Sequence, residues 1–193
     1  MPVTRGPFYP APQDLQWSDD LTVRDHSGIS AQGVRLYVTG RVRDAYCRPV
    51  AGARVELWQA DANGLYKHVF SRKRRGVELD PGFKYFGYVK SDEDGAYLFK
   101  TIRPKWYHDA STIRCAHLHF LISHPKHGEV ATQMMFAGRE EDSIRAWDPV
   151  FQNLADRLQE QLIVRPIPAQ EHAAFRGSEQ GAEVAHFDQA FLR

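Results

Sequence analysis

Five stretches between residues 34 and 136 alternate apolar and polar side chains with a period of two, and clusters of turn-forming residues separate them. Only an extended chain sends every second residue to the same face, so the pattern demands strands with one face against a core. Residues 34–42 set Val34, Leu36 and Val38 against Arg35, Tyr37 and Thr39, and residues 54–60 set Val55, Leu57 and Gln59 against Glu56 and Trp58. Residues 96–102 follow the turn Asp92-Glu93-Asp94-Gly95, and residues 117–123 and 130–136 complete the set. Short strands spaced by Gly, Pro, Asn and Asp predict a mostly β fold, an antiparallel β-sandwich with long loops, rather than alternating β-α units. The helical signal is confined to the end. Asp148 is placed to cap a helix with Pro149 at its first position, Phe151, Leu154, Leu158 and Leu162 fall on one face, and the helix should stop before Pro166. Residues 184–192 read either as a last strand or as a surface segment.

A chain of 193 residues and 22.1 kDa can bury about 70% of its unfolded surface, enough for one ordinary core. One domain over residues 1–193 is expected, with an extended N-terminal segment (1–33), a sandwich core (34–136) and a helix with a C-terminal segment (137–193). Lys and Arg total 25 against 24 Asp and Glu, a net charge of +1, so bulk charge gives no pull toward nucleic acid. No run of about 18 apolar residues exists to span a membrane. Cys47 and Cys115 are too few for a four-cysteine zinc site. The N-terminus carries neither a signal-peptide core nor an Arg-rich presequence, so a cytoplasmic protein is expected.

The sharpest local feature is Arg114-Cys115-Ala116-His117-Leu118-His119-Phe120. On a strand His117 and His119 project to one face and can share a metal, although the pair alone reads equally as two ordinary strand histidines. No Cys pair or helical His-Glu-x-x-His accompanies it. Tyrosine is the residue in unusual places: Tyr66 closes the turn Asp61-Ala62-Asn63-Gly64-Leu65, and Tyr107 follows Arg103-Pro104-Lys105-Trp106. Each alone reads as packing. Two phenolates with two imidazoles would suit a trivalent iron better than zinc.

Taken together the motifs resemble those of intradiol ring-cleavage dioxygenases. They run from Gly6-Pro7-Phe8-Tyr9-Pro10 through Val38-x-Gly40-x-Val42, Pro49-Val50-x-Gly52-Ala53, Val55-Glu56-Leu57-Trp58-Gln59-Ala60-Asp61 and Gly64-x-Tyr66. Asp92-x-x-Gly95-x-Tyr97, Ile102-x-Pro104 with Tyr107, Arg114-x-x-His117-x-His119-Phe120 and Gln133 follow in order, spanning residues 6 to 136. The resemblance implies one non-haem Fe(III) per chain, held by Tyr66, Tyr107, His117 and His119, with no further cofactor. It implies a catechol-type substrate and O2, opening of the ring between the two hydroxyl-bearing carbons, and a cis,cis-muconate-type diacid as product, in aromatic compound catabolism. Tyr66 would stay bound, Tyr107 would be displaced by substrate and take its proton, and Arg114, with Gln133 as companion, would stabilise developing negative charge. A homo-oligomer or association with a related subunit is also implied.

Two positions depart from the family pattern: Cys115 stands where Pro usually follows the arginine, and His108 stands where Pro commonly follows the second tyrosine. With only 33 residues before its first expected strand, the chain is closer to the short protocatechuate-type or hydroxyquinol-like catalytic core than to catechol enzymes with a helical N-terminal region. The basic run at residues 72–75 reads as a solvated loop, or as a rim favouring an anionic catechol. Competing readings are a cupin-type Fe(II) oxygenase, which wants a carboxylate and a third histidine, and a non-catalytic transthyretin-like or carbohydrate-binding sandwich.

Overall fold

The computed structural model describes residues 5–11, 14, 16–24, 28–69, 71, 76–109 and 112–191. The basic run at 72–75 lies outside them. Strands β1 (Arg35–Arg43), β2 (Arg54–Gln59), β3 (Phe86–Lys90), β4 (Ala96–Ile102), β5 (Tyr107–Asp109), β6 (Thr112–Arg114), β7 (His117–His124) and β8 (Gly128–Phe136) come first. Helices α1 (Arg139–Arg145), α2 (Pro149–Gln152) and α3 (Asp156–Leu162) follow, then short strands β9 (Ile163–Val164), β10 (Ile167–Pro168), β11 (Glu183–His186) and β12 (Gln189–Ala190).

One sheet has the order β3-β2-β7-β8-β9. The other is built on β1, which pairs antiparallel with β4 and parallel with β11 and β12, while β10 flanks β11. β5 and β6 form a separate hairpin. The sandwich core lies between the two sheets, where Leu36 and Val38 of β1 meet Val55 and Leu57 of β2 and Leu118 and Phe120 of β7, all fully buried. The five alternating stretches become β1, β2, β4, β7 and β8.

Because successive residues of β7 face opposite ways, sending Leu118, Phe120 and Ile122 into the sandwich obliges His117, His119 and Leu121 to face the other side. There a second apolar cluster forms from Trp58, Leu121 and Phe86 together with Phe8, Tyr66 and Tyr107. The mostly β sandwich thus carries its core on one side of the β2-β7 pair and a buried aromatic pocket on the other.

The structure departs from expectation at the C-terminal end. Asp148 does cap a helix, its side chain accepting from Val150 N and Phe151 N with Pro149 at the first position. The helix ends at Gln152, however, and resumes only at Asp156, so one predicted helix is two; the break falls at Asn153, a poor helix former. Phe151 and Leu162 are nevertheless both buried, as the spacing requires. Of the ambiguous tail 184–192, whose last residue lies outside those described, 184–186 and 189–190 fall in β11 and β12, laid parallel on β1. Helix α1 lacks an apolar stripe, which hid it, but carries Glu140, Glu141 and Asp142 in its first turn and Arg145 in its last, matching the helix dipole. Among the described residues no helix is long and apolar enough to cross a membrane.

Candidate metal centre

Tyr66 sits at the end of a turn that Asp61 builds. The buried Asp61 carboxylate accepts from Asn63 N at 2.8 Å, Leu65 N at 3.0 Å and Tyr85 Oη at 2.7 Å, fixing the chain that delivers Tyr66. Gly64 has φ +79°, and a Cβ there would lie 2.7 Å from Trp106 O, so the Tyr66 loop can press against the Tyr107 loop only with glycine at this position. Tyr107 opens the β5-β6 hairpin and pairs in register with Arg114 at its far end. Facing residues of a strand pair share a face, so the phenol and the guanidinium stand side by side.

Four side chains of the expected ligand set meet in this pocket. His117 Nε2 and His119 Nε2 are 3.0 Å apart, and Tyr66 Oη lies 3.4 Å from His117 Nε2. The Tyr107 ring stands 5.3 Å from that of Tyr66 and 5.8 Å from that of His117, centroid to centroid. None of the four is more than 5% exposed. His117 Nδ1–H donates to Cys115 O at 2.6 Å, which leaves Nε2 as the bare lone-pair nitrogen turned toward its neighbours. Gln133 stands opposite His119 in the β7-β8 register, its amide nitrogen 3.4 Å from His119 Nδ1 and its Oε1 buried without a partner. A half-turn of that amide lets Oε1 accept the Nδ1 proton, which frees the Nε2 lone pair of His119 as well.

Aromatic rings wall the pocket. Trp58, opposite His119 in the β2-β7 register, lies flat on the imidazole, and Phe8 stacks on Tyr66 with centroids 4.6 Å apart. The N-terminal segment therefore roofs the site. Gly6, at φ +70°, runs so close that a Cβ would meet His119 Cε1 at 3.4 Å.

Burial sets the protonation states. It pushes both histidines down, with the Arg114 charge adding to the effect, so both imidazoles are neutral. Burial pushes Tyr66 and Tyr107 up, and the Arg114 charge opposes this without overcoming it. Phenolates here need additional positive charge. A trivalent cation among two neutral imidazoles and two phenols supplies it, so the donor set fits the metal that the resemblance implies. Among the described residues no three His, Cys, Asp or Glu side chains converge on a metal-binding arrangement, so the phenols are the donors that can complete the histidine pair. A cupin-type site would need a carboxylate and a third histidine there.

Arg114 is anchored by a residue to which the sequence assigned only a cap. Its Nε donates to both Asp148 oxygens at 3.2 Å, while its Nη2 is buried without a partner. Three of the four buried polar atoms without a partner among the described residues, Trp58 Nε1, Arg114 Nη2 and Gln133 Oε1, border this one pocket. Such atoms are costly and rare in a finished core, and their concentration marks a place built for something else to bind.

A family model described as Dioxygenase matches residues 4–187. The chain belongs to the intradiol ring-cleavage dioxygenase family. It is 36% identical over 165 residues to the protocatechuate 3,4-dioxygenase beta chain of Burkholderia cepacia, covering 83% of this chain and 68% of that protein. It is 29% identical over 180 residues to the hydroxyquinol 1,2-dioxygenase of Corynebacterium glutamicum, covering 84% of this chain and 55% of that one. The 3-chlorocatechol 1,2-dioxygenase of Rhodococcus opacus shares the fold, with a TM-score of 0.72 at 21% identity over 98% of this chain and 71% of that chain.

Within this intradiol-family chain the two departures from the motif are accommodated differently. His108 is exposed on the hairpin, edge-on to Trp106. Cys115 is buried, and burial pushes its thiol up, which makes it a packing group rather than a reactive one. Sequence reasoning assigned no role to Trp58 or Phe8, although both lie inside the quoted motifs, because stacking depends on strand register and on a loop's return path. It missed the tie between Asp148 and Arg114 for the same reason.

Proposed function

We propose that this chain is a non-haem Fe(III) dioxygenase that opens a catechol-type ring between its two hydroxyl-bearing carbons, with residues 1–193 acting as one catalytic unit. The observation that carries the reading is the meeting of Tyr66, Tyr107, His117 and His119 in one buried pocket with the Nδ1 proton of His117 committed to Cys115 O. Those four side chains would hold the metal. Bound there, Fe(III) would supply chelation of both diol oxygens and withdrawal of electron density from the ring, which makes the ring reactive toward O2.

The other steps belong to the chain. Tyr107 Oη, as a phenolate, takes a proton from the incoming diol and becomes a neutral phenol, the form its burial favours. Tyr66, backed by Phe8, keeps its place. Arg114 offers the unpartnered Nη2 to negative charge developing on the ring as it is attacked, a preorganised donor in a site closed to water. The Trp58 and Phe8 walls, stacked on His119 and Tyr66, exclude solvent from the four candidate ligands. Assembly as a homo-oligomer or with a related subunit belongs to the same reading, since the Burkholderia relative is named a beta chain.

The test is the visible spectrum of the purified, iron-assayed protein, followed by anaerobic addition of catechol, protocatechuate and hydroxyquinol in turn. A red protein with about one iron per chain, whose colour shifts with at least one diol, supports the reading, because tyrosinate bound to Fe(III) absorbs in the visible. A colourless protein that takes up no iron on reconstitution and leaves all three diols intact overturns it.

A further inference from the structure

The Asp148 side chain is fully buried and gathers donors from three directions. Its Oδ1 accepts from Val150 N at 2.9 Å and Phe151 N at 3.2 Å, the first turn of α2, and its Oδ2 accepts from Cys115 N at 2.9 Å. Arg114 Nε reaches both oxygens at 3.2 Å. A buried carboxylate with so many donors has one orientation, and it passes that orientation to the guanidinium. Held by Nε, Arg114 cannot swing about its long stem, and Nη2 is left buried with no partner among the described residues, on the hairpin face it shares with Tyr107. Cys115 takes part through its backbone: a proline at this position would have no N–H to give Asp148.

We propose that Asp148 is the positioning residue of Arg114, clamping the guanidinium so that Nη2 faces the reacting ring, and that Cys115 N–H completes the clamp. The inference rests on the dioxygenase reading for its kinetic consequence, but not for the clamp itself. It places a functional residue in the helical segment, where the sequence shows no motif.

The test uses Asp148→Ser, which keeps a capping hydroxyl for α2 but is too short to reach Arg114, and Asp148→Asn in case the serine variant does not fold. In the full-length metal-free protein, the Nε–H resonance of Arg114, assigned by its loss in Arg114→Lys, should exchange slowly with solvent, and rapidly in the Asp148 variants. In the iron-loaded protein the same variants should lower kcat about tenfold to a hundredfold while anaerobic diol affinity stays within about threefold. Arg114→Ala made on top of Asp148→Ser should then add much less than it costs alone. A fast-exchanging Nε–H in the wild type, or an Asp148 variant with full kcat beside a crippled Arg114→Ala, overturns the proposal. If the wild type neither binds iron nor opens a diol, the dioxygenase reading fails while the exchange measurement still decides the clamp.

Discussion

Trp58 lies flat against His119, their ring centroids 4.7 Å apart and their planes within 6°. The pairing follows from register, since β2 and β7 bring the two residues opposite each other on the face turned away from the sandwich core. The indole fixes the plane of the imidazole and so the direction of its Nε2 lone pair. Trp58→Leu should fold, keep all four candidate ligands, and bind iron about tenfold more weakly, the usual cost of losing support behind a ligand. Competition with a chelator measures this, and unchanged iron affinity in a folded variant would remove Trp58 from the account.

Loss of a ligand should act more sharply. Tyr66→Phe and His119→Ala should each lose iron and activity together, leaving a folded protein by far-UV circular dichroism. Both side chains are buried, Tyr66 at 4% and His119 at 2% exposure. Full iron content and turnover in either variant would sink the ligand assignment.

Arg114 should separate binding from turnover. Arg114→Ala should give a coloured, iron-loaded protein that binds diol yet turns over at least about a hundredfold more slowly, as expected when one preorganised charge is lost. Single-turnover kinetics after anaerobic loading report the step directly, and near-normal turnover would reject the role.

Gly64 joins the two tyrosine loops, and Gly64→Ala adds both a strained backbone and a Cβ against Trp106 O. Destabilisation of more than about 1 kcal/mol in urea unfolding is expected. Equal stability would show that the loops can part at little cost.

Asp148 also gives stability a pH dependence. Burial alone would raise its carboxyl, but the Arg114 charge and the N–H groups of Cys115 and Phe151 outweigh burial and hold it below the ordinary value of 3.8. A carboxyl depressed on folding contributes fully above its unfolded value and loses that contribution as pH falls through its folded value. The stability difference between wild type and Asp148→Asn should therefore be flat from about pH 7 to pH 5 and shrink below about pH 4. A difference that persists unchanged into strong acid would mean that the carboxylate charge plays no part.

The parts of the fold legible in the sequence were those governed by local period. Leu118 and Phe120 had to be buried, and that requirement alone fixed the side taken by His117 and His119. Strand β3 was missed because its Phe86-Gly87-Tyr88-Val89-Lys90 carries a glycine and only one charged residue, at its end, so no polar alternation marks it. The break between α2 and α3 was missed because Phe151, Leu154, Leu158 and Leu162 keep helical spacing across it. At the site, Tyr66 and Tyr107 became readable only through the motifs around them, since no local rule distinguishes a ligand tyrosine from a packed one. Asp148 was legible as a cap and illegible as a clamp, because its partner lies 34 residues earlier in the chain.

The four side chains of the pocket come from the β2-β3 connection, the β5-β6 hairpin and β7, and no local segment holds more than the histidine pair. The pocket therefore exists only once pairings distant along the chain have formed, and an unfolded chain cannot reproduce it. Whatever occupies it draws the folding equilibrium toward the native state by mass action, about 2.7 kcal/mol at a hundred times its dissociation constant. A cell short of that occupant would then hold less of this protein folded, and its abundance would follow the supply.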